Sequence, residues 1–215
     1  MSASLGPASR DSAPDPRASD VGRPAVMRVV GCAEAELPAG LRRQVAELED
    51  AAWPGAEPGH DPALAPRALL LLAADGTVAA SLALLFKEIR FAGRTYRAAG
   101  LSAVVTRPAL RGRGCGARLV AAARAELAAD RAVDLALFSC DRPLAPFYEA
   151  AGFVQLPGTV LVGGAPDDPE PLATDAPGFD KVVLADFFTD DPGRDRAAFT
   201  GVRVPLHPGH TDRLW

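Results

Sequence analysis

The sequence predicts an α/β (α+β) fold: a central, mixed but mostly antiparallel twisted sheet flanked by helices. Three observations carry this. Apolar runs of strand length are joined by two hairpin signals, Asp75-Gly76 and Ala92-Gly93. A strand-like run, Leu101 to Val105, passes through a glycine- and arginine-rich turn into an Ala/Leu-rich helical pattern, Arg118 to Ala129. After that helix, strand and helix patterns alternate. The 215 residues suit one domain, and 48% hydrophobic content supplies a core.

The elements follow in order. Residues 1–24 are rich in Ser, Pro, Asp and Arg and read as a disordered tail. Ala25 to Cys32 is a first strand. Leu41 to Trp53 carries Leu41, Val45, Leu48 and Trp53 on one stripe and reads as an amphipathic helix. Pro54 to Pro66 is a loop containing His60. Ala68–Ala73, Thr77–Phe91 and Thr95–Thr106 form an antiparallel meander. Val133 to Ser139 is a buried strand. Arg142 to Ala151 is a short helix with Pro143 in its first turn and Gly152 as its stop. Phe153 to Val162 is one further strand, closing a domain of residues 25–163. In the extension 164–215, Gly163–Pro177 reads as loop, Val182–Phe188 as a strand and Gly201–Pro205 as a short β segment. The extension packs on the domain or completes it.

Composition excludes several classes. No apolar run reaches the ~20 residues of a membrane-spanning helix, and the N-terminus lacks a secretory apolar stretch. Cys32, Cys115 and Cys140 are odd in number and widely spaced, which suits a reducing cytoplasm. A net charge of −4 argues against nucleic-acid binding. His60, His207 and His210 form no metal-ligand spacing, so no metal is expected. Five arginines and no acid lie in residues 107–124, which suits an anionic partner. Nine acids lie in residues 166–195; they either attract a cationic substrate or form a solvated loop.

The segment from Thr106 to Leu119 carries the chemistry. A strand, a glycine turn and a helix start aim backbone N–H groups and the positive helix end at one anion. Gly114 and Gly116 leave the backbone approachable, and Arg111, Arg113 and Arg118 add charge. A nucleoside-triphosphate loop needs Lys-Ser/Thr after its last glycine, where Ala117-Arg118 stands. A dinucleotide fingerprint needs Gly-x-Gly-x-x-Gly, whereas Gly112, Gly114 and Gly116 are spaced Gly-x-Gly-x-Gly. Arg111-x-x-Gly114-x-Gly116 resembles the acetyl-CoA pyrophosphate loop of the GNAT superfamily of N-acetyltransferases. A second segment, Pro146 to Phe153 with Tyr148 and Gly152-Phe153, resembles that family's helix-and-strand motif. The two stand about 30 residues apart in family order, and the resemblance spans residues 26–163.

The resemblance implies a GNAT fold, acetyl-CoA as co-substrate, an amine as partner and frequent homodimers. It implies that Ser102 to Thr106 pairs with the pantetheine arm, with the Val104 N–H facing the thioester carbonyl. Val105, Thr106, Arg111, Gly112, Arg113, Gly114, Cys115, Gly116 and Ala117 complete the expected cofactor site. Tyr148 takes the place of the acid that protonates the departing thiolate. Cys140, with no histidine near it in sequence, reads as a buried or site-lining thiol. Within the superfamily, the segment Phe91 to Val105, the spacing to the loop, Ser139, Tyr148 and a terminal Trp215 are most similar to aminoglycoside 2'-N-acetyltransferases. Ser102 stands where those enzymes carry a glutamate. It cannot be a direct base, but it can order a water. Asp141, Glu88, Asp212 and the Trp215 carboxylate are the base candidates. Trp53, His60, Ser139, Asp141 and Trp215 are expected at the acceptor site.

The functional expectation is an acetyl-CoA-dependent N-acetyltransferase of a small-molecule primary amine, with an aminoglycoside-like compound as the candidate acceptor. A protein amino group or a polyamine is the alternative acceptor. A non-catalytic acyl-CoA-binding module is the alternative class.

Overall fold

Strand pairing follows the hairpin signals. The computed structural model describes residues 27–56, 59–164 and 172–206. Seven strands form the main sheet: β1 (Arg28–Ala33), β2 (Arg67–Leu72), β3 (Val78–Phe91), β4 (Arg94–Thr106), β5 (Leu135–Asp141), β6 (Val154–Gln155) and β8 (Lys181–Phe187). Their spatial order is β1-β2-β3-β4-β5-β8-β6. β7 (Val160–Val162) and β9 (Arg203–Pro205) pair in parallel as a second, two-stranded sheet. The helices are α1 (Ala39–Ala52), α2 (Cys115–Ala129), α3 (Ala145–Glu149) and α4 (Pro192–Phe199). No described helix is long and apolar enough to cross a membrane.

Both faces of the sheet are covered, which is why β2 reads as one apolar run rather than an alternation. Ala68, Leu70 and Leu72 pack with Leu48 of α1. Leu69 and Leu71 pack with Leu119, Val120 and Ala123 of α2 on the other face. The β3–β4 hairpin turns at Ala92 and Gly93, both at positive φ (47° and 76°), the geometry of a tight two-residue turn.

Several elements differ from the sequence reading. The expected single strand Phe153–Val162 is two strands in different sheets. Pro157-Gly158 breaks it, with Gly158 at φ 72°. The expected helix Arg142–Ala151 is a 3-10 turn, Arg142–Leu144, followed by the five-residue α3. α4 was not expected; of its eight residues only Asp195 and Phe199 are buried, so its sequence shows no helical stripe. The proposed tail, residues 1–24, lies outside the described residues, as do His207, His210, Asp212 and Trp215.

The C-terminal extension enters the main sheet. β8 pairs antiparallel with β5 from Leu135↔Phe187 to Asp141↔Lys181 and holds β6 on its other edge. Among the described residues, five acids of the acidic block hold structural partners. Asp175 pairs with Arg203, Asp180 with Arg142, Asp186 with Arg124 and Asp195 with Arg94. Asp191 caps α4 by accepting from the Arg194 N–H. These acids therefore tie the extension down instead of forming a substrate-attracting surface.

Candidate active site

The central feature is a wedge between β4 and β5. The strands are parallel, yet register only at Ala98↔Leu135 and Ala99↔Ala136. Beyond these pairs, β4 from Gly100 to Thr106 has a neighbour on its β3 side alone. The cause lies in β4. Ala103 and Val104 together oppose Leu82, an extra residue that forms a bulge, and Ala103 takes φ 48°. A bulge bends and over-twists its strand. A non-glycine residue in the left-handed region costs about 1 kcal/mol or more. Past the bend, the β5-facing backbone groups of Ser102 to Thr106 have no β5 partner. That is the stretch expected to pair with an extended amide-bearing ligand.

The glycine loop closes the wide end of the wedge. Pro108–Leu110 is a 3-10 turn and residues 111–114 lead into α2. α2 begins at Cys115, so Cys115, Gly116 and Ala117 form its first turn, whose N–H groups have no intrahelical acceptor. Gly114 is the N-cap at φ 75°, with no side-chain cap and no acid in the first turn. Gly112 is at φ 73°, and added Cβ atoms at Gly112 and Gly114 would meet nothing within 4 Å. The loop is thus an open, positively polarised anion cradle. Arg111 donates to the Thr106 carbonyl at 3.3 Å and Arg118 to the Met27 carbonyl at 2.7 Å, which anchors the cradle to β4 and β1. Arg111, Arg113 and Arg118 are all exposed.

Gly116 has a different reason from the one its sequence suggested. A Cβ there would lie 2.8 Å from Thr106 Oγ1 and 3.3 Å from Phe147 Cζ. The space is filled by protein, so Gly116 permits α2 to approach β4 and α3 rather than admitting phosphate. Cys115 is buried and Val105 faces α1. Val104 packs its side chain on the α2-side core.

Tyr148 sits on α3, 6% exposed, edge-on to Phe138 and Phe147. Burial pushes its hydroxyl well above the usual phenol value, so it carries its proton at neutral pH. Cys140 belongs to the same core cluster as Tyr148. Burial, with Asp141 nearby, pushes its thiol up to about 11. A thiol so shifted has roughly one molecule in a thousand ionised at pH 8. Iodoacetamide at pH 8 is therefore expected to label the half-exposed Cys32 while leaving Cys140 largely unmodified. Peptide mapping checks this, and rapid alkylation of Cys140 would contradict it.

On the α1 face, the structure assembles a chain that sequence spacing does not show. His60 Nδ1 lies 2.7 Å from Glu34 Oε2, and the His60 N–H donates to Glu34 Oε1 at 3.2 Å. His60 Nε2 lies 3.1 Å from Ser102 Oγ. The hydrogen bond from His60 holds the Glu34 carboxyl below its usual value. An ionised Glu34 only accepts, so Nδ1 donates to it; in the neutral form of the ring Nε2 is then the acceptor for the Ser102 hydroxyl. The His60 side chain is 7% exposed. Glu34 and His60 line a cavity of about 760 Å³, with Glu49, Arg42, Leu37 and Val45. Burial pushes the Glu49 carboxyl up, partly countered by His60.

The other expected acceptor residues do not converge with these. Trp53 ends α1, 45% exposed, and is not among the cavity-lining residues. Ser139 is half-buried on β5 opposite Val183. Asp141 is exposed and paired with Lys181 at 2.9 Å. Glu88 is exposed on β3. Glu34 was missed because it lies 26 residues from His60 and meets it only through the fold.

A bulged, splayed strand pair ending at a glycine-capped helix defines an acyl-transfer scaffold. The chain belongs to the acetyltransferase (GNAT) family, whose profile matches residues 39–155. Among solved structures, Escherichia coli ElaA is similar with a TM-score of 0.53 at 15% identity, covering 74% of this chain and 99% of that one. An acyl-CoA N-acyltransferase from Pseudomonas aeruginosa has a TM-score of 0.48 at 20% identity, covering 74% and 99%. The GNAT family N-acetyltransferase YhbS of Escherichia coli, solved in complex with CoA, has a TM-score of 0.47 at 17% identity, covering 88% and 93%. No curated protein matches the chain.

Proposed function

We propose that this N-acetyltransferase moves the acetyl group of acetyl-CoA directly to a primary amine of a small molecule. The observation that carries the reading is the β4/β5 wedge with an anion cradle at its wide end. The cradle fits a pyrophosphate: glycines at positive φ with open space, first-turn N–H groups and exposed arginines. Bound acetyl-CoA supplies an activated acetyl thioester.

The chain's own groups then have separable tasks. Arg111, Arg113 and the first turn of α2 hold phosphate charge. The β5-facing edge of Ser102 to Thr106 aligns the extended arm. The Val104 N–H donates to the acyl oxygen as negative charge builds there. Tyr148, kept protonated by burial, gives its proton to the departing thiolate. The cavity mixes Glu34, Glu49, Glu126 and Asp130 with Arg42, Arg67 and Arg97, a polar lining that suits an aminoglycoside-like or polyamine compound.

Tyr148→Phe is expected to lower kcat by about 10-fold or more, the scale of a general acid. The affinity for CoA stays close to that of the parent chain. Steady-state kinetics beside calorimetric CoA binding checks this; unchanged kcat would remove Tyr148 from the reaction. The function itself is tested by thiol release from acetyl-CoA with a panel of amines.

A further inference from the structure

We propose that Glu34, His60 and Ser102 form a proton relay that acts as the general base, with Ser102 Oγ the atom that meets the acceptor amine. The proposal rests on the acetyltransfer reading above. A primary amine of ordinary basicity is protonated at neutral pH and must shed a proton to attack. No carboxylate occupies position 102, and of the sequence candidates only Asp141 and Glu88 lie among the described residues. Asp141 is exposed and paired with Lys181, and Glu88 is exposed on β3. Ser102 lies on the stretch of β4 without a β5 partner, beside the bulge at Ala103. Its hydroxyl is bonded to His60, whose other nitrogen is bonded to Glu34, through contacts of 3.1 and 2.7 Å. The three groups come from β4, the loop after α1 and the turn after β1. Glu34 and His60 line the cavity, and Ser102 lies on the β4 stretch without a β5 partner.

The step balances as follows. The ammonium first sheds one proton through Ser102 and His60 to solvent, which frees the lone pair; as the new N–C bond forms, the second amine proton passes to Ser102 Oγ, and the Ser102 proton passes to His60 Nε2. The imidazolium faces the Glu34 carboxylate, which stays ionised. The C–S bond breaks, and the sulfur takes the Tyr148 proton. Solvent then returns a proton from His60 to Tyr148. Among the described residues, Glu34 and Glu49 of α1 act electrostatically with His60, and Arg42 acts on Glu34. Ser102 and His60 contact or relay directly, whereas Glu34 is a positioning residue that acts through His60. The competing use of the same three groups is a nucleophilic Ser102, which requires an acetyl-serine.

The test measures pH profiles of kcat/KM with acetyl-CoA and the amine that the parent chain acetylates fastest in the panel. CoA affinity and melting temperature serve as folding checks. His60→Gln and Ser102→Ala are each expected to lower kcat by about 100-fold at unchanged CoA affinity. His60→Gln also removes the ionisation that lowers the rate in acid. Glu34→Gln moves that acid limb to lower pH, because it removes the charge that stabilises the imidazolium. Ser102→Glu in the His60→Gln background restores at least about 10-fold of the loss, since a carboxylate there takes the proton itself. Full kcat with the acid limb intact in His60→Gln overturns the relay while leaving acetyltransfer standing. An acetyl group on Ser102, seen by intact mass after mixing with acetyl-CoA, overturns it in favour of the covalent route. No transfer by the parent chain overturns the acetyltransfer reading and the relay together.

Discussion

Gly114→Glu is expected to weaken CoA binding by at least about 100-fold, roughly 2.7 kcal/mol, while the protein remains folded. Gly114 is the N-cap of α2, in the left-handed region at φ 75°. A Cβ there meets nothing within 4 Å, so no clash unfolds the chain. The backbone strain of a residue with a side chain is about 1–2 kcal/mol, and a carboxylate at a helix N-terminus offsets part of it. That carboxylate occupies the same N–H groups that a phosphate uses and repels the phosphate charge. Gly114→Ala adds only the strain and keeps most of the affinity. Calorimetry with CoA reads both variants. Equal affinity in Gly114→Glu would show that the cradle does not hold the pyrophosphate.

The second large effect concerns how the extension is locked to the sheet. Asp195 of α4 is 2% exposed and accepts from Arg94 at 2.6 Å, Tyr96 at 3.1 Å and Thr189 at 2.7 Å. Asp195→Ala leaves the Tyr96 hydroxyl buried without its partner and strips Arg94 of its carboxylate. The expected loss is about 3 kcal/mol. Removing one member of a fully buried pair costs about 3–5 kcal/mol; Arg94 is half exposed and regains water, which places this site at the low end. For a chain of this size that lowers Tm by about 6–12 °C. Asp195→Asn keeps an acceptor for Tyr96 and loses less. A melt indistinguishable from the parent chain would show that the network contributes nothing to holding α4 in place.

The parts of the fold written in local chemistry were readable. Asp75-Gly76 and Ala92-Gly93 set the two hairpins because the turn residues themselves hold the required backbone angles. The cradle was readable because strand, glycines, arginines and helix follow one another without interruption. Other parts depend on distant partners. The break at Pro157-Gly158 is a turn signal, but the apolar residues around it read as one strand. β8 inserts between β5 and β6, a placement that no local pattern encodes. α4 is polar on most of its surface, and its buried Asp195 is meaningful only beside Tyr96. The wedge arises from one extra residue in β4, and a bulge at Ala103 has no sequence signature when the residue is not glycine. His60 was placed near the acceptor by loop position alone, and its two partners come from other elements. Gly116 reads in the sequence as leaving room for a phosphate, whereas a Cβ there would meet Thr106 and Phe147 of the protein itself.

The most direct measurement is thiol release from acetyl-CoA in the presence of single amines. The panel holds aminoglycosides with and without a 2'-amine, spermidine and a lysine-containing peptide. Amine-dependent release, with acetylated amine recovered in equal amount, is the predicted result. CoA that binds without release on any amine of the panel would contradict catalysis and leave a chain that holds the cofactor without using it.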